Sequence, residues 1–339
     1  MITYWQQVHG KLIRVKKEDL DPKLKTWVDA RSVTTDDISE LENDYLIENE
    51  HILDILDPDE LSRIEAADEY ILVIMRLPIF EINAEIPYFT IPLGVIIKDN
   101  FIITICWTDC EVLKDFSANR VKGARLEDFP AFMIQILSRS DILFLRYLKE
   151  INRRSASIQK ELQVSIENKE IIQLLNLEKS LEFFTTSLSN NQVLLEKFRK
   201  TKLLKLDEDD QDWLDDVDVD NRQAIDMADT YSNILSGMMD AFASVISNNL
   251  NIVMKKLTII NIILMIPTFI VSFFGMNIPL PFQNSGGLGI IVIIFICIVS
   301  TMFARILFGD RSSLQQVSPA LRKKAKERKN KKRQRGDSK

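Results

Sequence analysis

The sequence predicts an α+β cytoplasmic domain, a mixed sheet with flanking helices, that continues through a long stalk helix into two transmembrane helices. Three observations predict it. Runs rich in Ile, Val and Phe, bounded by Pro, Asn or Gly, recur through roughly the first 125 residues, as strands do. No proline occurs between Asp220 and Ile266, and a helical pattern holds across that stretch. Leu257 to Phe274 then carries no charged side chain over 18 residues. As a helix this run is about 27 Å long, close to the thickness of a bilayer's hydrocarbon core. A second apolar run, Leu288 to Ala304, follows.

In chain order, Leu12–Val15, Thr26–Asp29, Tyr70–Leu77, Phe89–Ile97 and Phe101–Trp107 read as strands, with Asp99-Asn100 as a hairpin turn between the last two. Thr34, followed three residues later by Asp37, resembles a capping box that opens a helix over Thr35–Ile47. A shorter helix fits Glu50–Leu56. From about 129 to 202 the chain is charged and helical, and a break near Ser165–Asn168 splits it into an antiparallel pair of long helices. Residues 1–205 are thus expected to form the cytoplasmic domain, and 206–256 an acidic segment and stalk helix. A helix from Asp216 to Gly275 would be about 90 Å long. Transmembrane helix 1 is 257–277, an external loop 278–287, transmembrane helix 2 288–308 and a basic cytoplasmic tail 309–339. Pro267 removes one backbone donor inside the first run, which membrane helices tolerate where neighbours satisfy the freed carbonyl.

The formal charge of −6 is unevenly spread: Asp310–Lys339 holds 12 Lys/Arg against 3 Asp/Glu, and the rest 31 against 46. Lys255 and Lys256 precede the first run, the basic tail follows the second, and Ile278 to Gly287 carries no charge. The positive-inside rule then places both termini in the cytosol of a multi-pass protein of the cytoplasmic membrane. The start, MITYWQQVHGKLIRV, has no apolar segment of the signal-peptide kind. Cys106, Cys110 and Cys297 build no disulfide framework, and Cys106 and Cys110 read as buried thiols. His9 and His51 lack catalytic context, and neither a GxxxxGK[ST] loop nor a Ser/His/Asp arrangement occurs, so no enzyme and no organic cofactor are expected. The tail has no aromatic interleaving, which points to anionic lipid heads and not to nucleic acid.

On the first apolar helix, Asn251, Met254, Thr258, Asn261, Met265, Thr268, Ser272 and Gly275 recur at three- and four-residue steps and share one stripe. Polar groups at membrane depth face protein or water. The stripe is therefore either a packing seam or the wall of a pore. Two helices cannot enclose a pore, so conduction requires several copies. A potassium-type filter is excluded, since no TVGYG-like loop is present.

Gly275-Met276-Asn277, at the end of this helix and before one more, resembles the signature of the CorA-type magnesium transporter family (the Gly-Met-Asn metal ion transporters). Asn249, Met254-Lys255, Leu257-Thr258, Pro267, Thr268-Phe269-Ile270 and Phe274 are similar to the family's stalk-to-pore segment in order and spacing. Weaker similarity covers Trp27, His51–Leu56, Tyr70–Pro78, Ser236-Gly237 and Asp240. The resemblance implies a funnel-shaped homopentamer in the lipid bilayer, with five copies of the first helix around a pore. Gly275, Met276 and Asn277 would form the selectivity filter, with Asn277 as an amide ring. Asn251, Met254, Leu257, Met265 and Thr268 would line the pore, Leu257 lying at the edge of the stripe. The implied cargo is Mg2+, whose tightly held waters an amide ring can bind without stripping them. Phe274 stands where the family has tyrosine, and the loop reads Ile278-Pro279-Leu280-Pro281 with no acidic residue before Asp310. Zinc, cobalt or nickel transport on the same fold, or a non-conducting membrane-anchored scaffold or sensor, are the alternatives.

Nine of the fourteen residues Asp207–Asp220 are carboxylates. Asp216, Asp218 and Asp220 have the spacing that opens a calcium loop, but Asn221 stands where Gly is required and Met227 where Glu is required. A solvated acidic helix start is the plain reading. The family resemblance implies a regulatory role instead: Asp216, with Asp54 of a neighbouring copy, would bind intracellular Mg2+ and hold the pore closed.

Overall fold

The computed structural model describes residues 1–162, 168–201, 203–276 and 287–313. The chain forms two compact units, Met1–Asp240 and Ala241–Lys339. The first is built on seven strands: β1 (Ile2–Val8), β2 (Lys11–Val15), β3 (Thr26–Arg31), β4 (Arg63–Ala66), β5 (Ile71–Phe80), β6 (Tyr88–Lys98) and β7 (Phe101–Cys106). Their order is β2-β1-β3-β7-β6-β5-β4. β3 and β7 are parallel, and the other neighbours are antiparallel. His9 and Gly10, at φ +49° and +74°, close the β1–β2 hairpin as a tight two-residue turn requires.

Helices cover both faces of this mixed sheet, so β5 and β6 bury nearly every residue instead of alternating. On one face α1 (Thr35–Tyr45) and α2 (Asn49–Leu56) bring Leu41, Tyr45, Ile52 and Ile55 onto Val28, Ile74, Ile96 and Ile103. The Thr34–Asp37 capping box opens α1 as the sequence predicts. On the opposite face lie α3 (Glu111–Ser117), α4 (Phe129–Leu162) and α5 (Asn168–Lys200). There Trp27 is 5.7 Å from Phe132 and 6.4 Å from Phe116, ring to ring. α4 and α5 are antiparallel: Phe144 meets Phe184, and Ile158 and Glu161 face the same cavity as Gln173 and Leu177.

Several elements differ from those the sequence pattern predicts. β1, β4 and α3 are additional elements. β1 looks too polar for a core strand, but its glutamines have distant partners: Gln6 donates to Thr26 Oγ1 and the Asp21 carbonyl, and Gln7 accepts from the Leu126 amide. α1 stops at Tyr45, not Ile47, because Leu46 turns left-handed at φ +52°. Tyr70 and Trp107 lie just outside their strands. The long helix α6 (Glu208–Phe274) starts eight residues before Asp216 and spans 67 residues, about 100 Å. Its start is fixed by a capping box, in which Asp207 Oδ1 accepts from the Asp210 amide at 2.7 Å and Asp210 Oδ2 accepts from the Asp207 amide at 3.4 Å.

Side-chain amides bolt the helices in place. β4 pairs with β5 up to Ile74, leaving the backbone of Arg76 without a strand on that side. Asn191 of α5 supplies the missing pair: its Oδ1 accepts from the Arg76 amide and its Nδ2 donates to the Arg76 carbonyl, both at 2.9 Å. Asn221 of α6 donates to the Leu188 carbonyl and Gln192 Oε1 on α5. α2 sits tightly on β6 at Gly94, where a methyl group would overlap the Ile55 side chain. Gly94→Ala is therefore expected to destabilise the first unit by about 1–3 kcal/mol, read as a lowered melting temperature of the full chain, with a smaller penalty in an Ile55→Ala background.

Asp141 of α4 is buried with no hydrogen-bond or ion-pair partner among the described residues. Burial, reinforced by the negative charge of Asp220, holds its carboxyl well above the usual carboxylate range. Asp29 is also buried. Burial raises its pKa to about 6, against the opposing pull of Arg31. A carboxyl whose folded pKa is raised keeps its proton after the unfolded chain has lost it. The stabilising contribution is full below about pH 4 and declines as pH rises. For Asp29 the loss is complete a little above pH 6, and for Asp141 it continues higher. Asp141→Asn is expected to raise the melting temperature at pH 8 and to flatten its decline above pH 6, checked by melts of both proteins from pH 5 to 9.

Candidate functional site

The second unit contains the apolar part of α6 and α7 (Gly287–Ser313). Both helices are long and apolar enough to cross a membrane, and no residue in the most apolar window of α6 is buried within the chain. α6 continues without interruption through Pro267, which can offer no amide to the Ile263 carbonyl. The helix ends at Phe274. Gly275 donates to the Val271 carbonyl at 2.9 Å and Met276 to Phe273 at 3.4 Å, closing the last turn. Asn277 and the loop 278–286 lie outside the described residues, as does the tail beyond Ser313.

Asn251, Met254, Thr258, Asn261, Met265, Thr268 and Ser272 all fall within α6, so one helical surface carries the stripe as far as Ser272, with Leu257 at its edge, and Gly275 lies just past the helix end. Met254, Leu257 and Met265 are each more than half exposed, as are Leu264 and Phe269. Both the stripe and the apolar residues beside it are therefore open on the surface of the single chain. Thr258 donates its hydroxyl proton to the Met254 carbonyl at 2.9 Å, and Thr268 to Leu264 at 2.8 Å. With the protons spent inside the helix, the two hydroxyl oxygens offer lone pairs to the stripe. Lone pairs are what the water shell of a cation needs, because its outward-facing atoms are hydrogens.

The acidic start of α6 is less solvated than its composition suggests. Arg199 pairs with Asp215 at 2.6 Å and Asp218 at 3.2 Å, and Arg222 also reaches Asp218. Asp128, Asp207 and Asp210 bring carboxylate oxygens within 4.8 Å of one another. Arg125 stands beside them, 3.4 Å from Asp210, and burial with the two acidic neighbours pushes the Asp210 carboxyl up. The capping box accounts for Asp207 and Asp210, whose three-residue spacing the sequence displays, whereas Asp128 is brought in by the fold from just before α4.

Asp54 and Asp216 are placed differently. Asp216 is exposed on α6, and its side chain has no partner among the described residues. Asp54 is half-buried on α2, with Oδ2 2.7 Å from Arg63 Nη2. No hydrogen bond or ion pair joins the two aspartates within the chain. Sequence reasoning missed Arg63, because a β4 residue nine positions away meets α2 only through the fold. Cys106 and Cys110 are buried free thiols, as expected, with the Cys110 thiol pushed up by its neighbour Cys106 and by burial.

Comparisons with known proteins fit this anatomy. The chain is 25% identical over 284 residues to the cobalt/magnesium transport protein CorA of Methanocaldococcus jannaschii, covering 81% of this chain and 88% of that protein. The complete structure of the CorA magnesium transporter from the same organism superimposes with a TM-score of 0.75 at 23% identity, over 91% of this chain and 97% of that one. Full-length CmaX gives 0.64 at 17% identity, over 90% and 97%. The cytoplasmic domain of ZntB from Vibrio parahaemolyticus gives 0.55 at 12% identity, over 74% and 97%. These structural likenesses establish the fold. Residues 25–311 match the family model described as CorA-like Mg2+ transporter protein, and the chain belongs to that family.

Proposed function

We propose that this chain is a magnesium channel of the cytoplasmic membrane, formed by five copies with α6 innermost and α7 outside. One observation carries the reading: a single continuous helix bears a polar stripe across an otherwise apolar span, and none of the described residues covers it. Five such stripes facing an axis would satisfy their polar groups with water and hydrated ions, and the apolar faces with lipid. Met254, Leu257 and Met265 would form narrow apolar rings that gate by dewetting. Gly275, Met276 and Asn277 would be the filter, with Asn277 holding the ion through its water shell. Both termini would be cytoplasmic, around a funnel-shaped body. Inward flux of a divalent ion would gain about 4.6 kcal/mol per 100 mV of negative-inside potential. A relative named for cobalt as well as magnesium supports cobalt as a second cargo.

Feedback would come from Asp54 of one copy and Asp216 of the next, bridged by Mg2+ when it is abundant and repelling each other when it is scarce. No acidic residue occurs in the 278–286 loop, so capture at the mouth would rest on neutral groups and depend weakly on ionic strength.

Three outcomes are expected in proteoliposomes loaded with a fluorescent divalent indicator. The unaltered chain conducts Mg2+ and Co2+ ahead of Zn2+ and Ni2+. Asn277→Ala reduces Mg2+ influx at least tenfold while the oligomer stays intact by crosslinking; an unchanged influx would remove Asn277 from the pathway. Asp54→Ala combined with Asp216→Ala leaves influx running at internal Mg2+ concentrations that silence the parent. An intact oligomer that passes no divalent ion in any condition would favour a scaffold or sensor.

A further inference from the structure

Arg63 opens β4, the edge strand, and one guanidinium serves three carboxylates. Its Nη2 is 2.7 Å from Asp54 Oδ2, its Nε is 3.3 Å from Glu65 Oε2, and its Nη1 contacts Glu60. His51 borders the group, with Nε2 4.0 Å from Glu65 Oε1 and Nδ1 2.6 Å from the Tyr70 hydroxyl. The backbone carrying Glu60 is itself held, because buried Arg76 donates to the carbonyls of Pro58 and Glu60. Arg63 is thus fixed over Asp54 by two further acids and a clamped loop. Three carboxylates around one guanidinium leave the patch net negative, so it attracts a second cation while one charge is already in place.

We propose that Arg63 is the resident counterion of Asp54, a built-in competitor whose displacement sets the magnesium concentration at which the protein responds. This rests on the reading of Asp54 as a regulatory cation ligand. A divalent ion approaching Asp54, directly or through its waters, comes within a few ångströms of the guanidinium and is repelled by it. Glu60 and Glu65 give Arg63 somewhere to remain once Asp54 is released, so the exchange breaks one contact out of three. Without Arg63, Asp54 would take the ion at lower concentration. The pair is partly exposed, 25% for Arg63 and 37% for Asp54, which screens the competition to a modest factor.

The test uses the full chain in detergent and reads the Mg2+ concentration giving half-maximal protection from a protease, with a melt in EDTA as the check of folding. Arg63→Gln is expected to lower the midpoint about two- to fivefold. Arg63→Lys keeps the charge and loses the fork; its midpoint is expected between those of the parent and Arg63→Gln, and it stays readable where the Gln variant does not fold. Asp54→Asn is expected to raise the midpoint or abolish protection, and Arg63→Gln added to it to change nothing more. If Asp54→Asn leaves the midpoint unmoved, the ligand reading of Asp54 fails and takes this inference with it. If Asp54→Asn is effective but the Arg63 variants sit at or above the parent midpoint, the competitor role alone is overturned.

Discussion

A helix that leaves water must satisfy its backbone from within, and this constraint governs the chain more than any single contact. α6 meets it over 67 residues, from the capping box at Asp207 to the turn closed by Gly275. Pro267 is the one interior position that cannot donate, and the turn around it draws in a second kind of acceptor use: the Thr268 hydroxyl bonds the neighbouring Leu264 carbonyl. Apart from the Ile263 carbonyl, which Pro267 deprives of its amide, the backbone of the span is spoken for, and its character follows from its side chains.

The acidic stretch shows how composition and role part company. Nine carboxylates in fourteen residues suggest one electrostatic function. In the fold they divide. Asp207 and Asp210 start a helix, Asp215 and Asp218 tie α6 to Arg199 and Arg222, and Asp216 is left facing solvent. A bridging cation would therefore meet a surface on which arginines already pair with several of the carboxylates. That favours a response carried by individual carboxylates over one carried by the field of the whole segment.

Local pattern made the core strands, α1, α2, the long helices and the polar stripe legible, because each has a period or a cap that sequence displays. β1 and β4 were not legible. Gln6 and Gln7 look solvent-facing until Thr26 and Leu126 arrive from elsewhere in the chain, and Arg63–Ala66 is a strand only because β5 offers it an edge. The same limit applies to the candidate sites. Asp54 and Asp216 could be pointed to by resemblance, but the three-acid grip on Arg63 exists only once α2, the following loop and β4 are folded together.

Asn191 has a consequence beyond holding α5. A strand whose amide and carbonyl face outward is a template for any other extended chain. β5 is in that position past Ile74, where β4 gives out, and the primary amide of Asn191 occupies the open edge at Arg76 as a single-residue stand-in for a strand. While α5 is still undocked during synthesis, that edge is available to a neighbouring nascent chain. Copies translated close together on one membrane would then face a race between the helix that guards the edge and the wrong partner that would extend it.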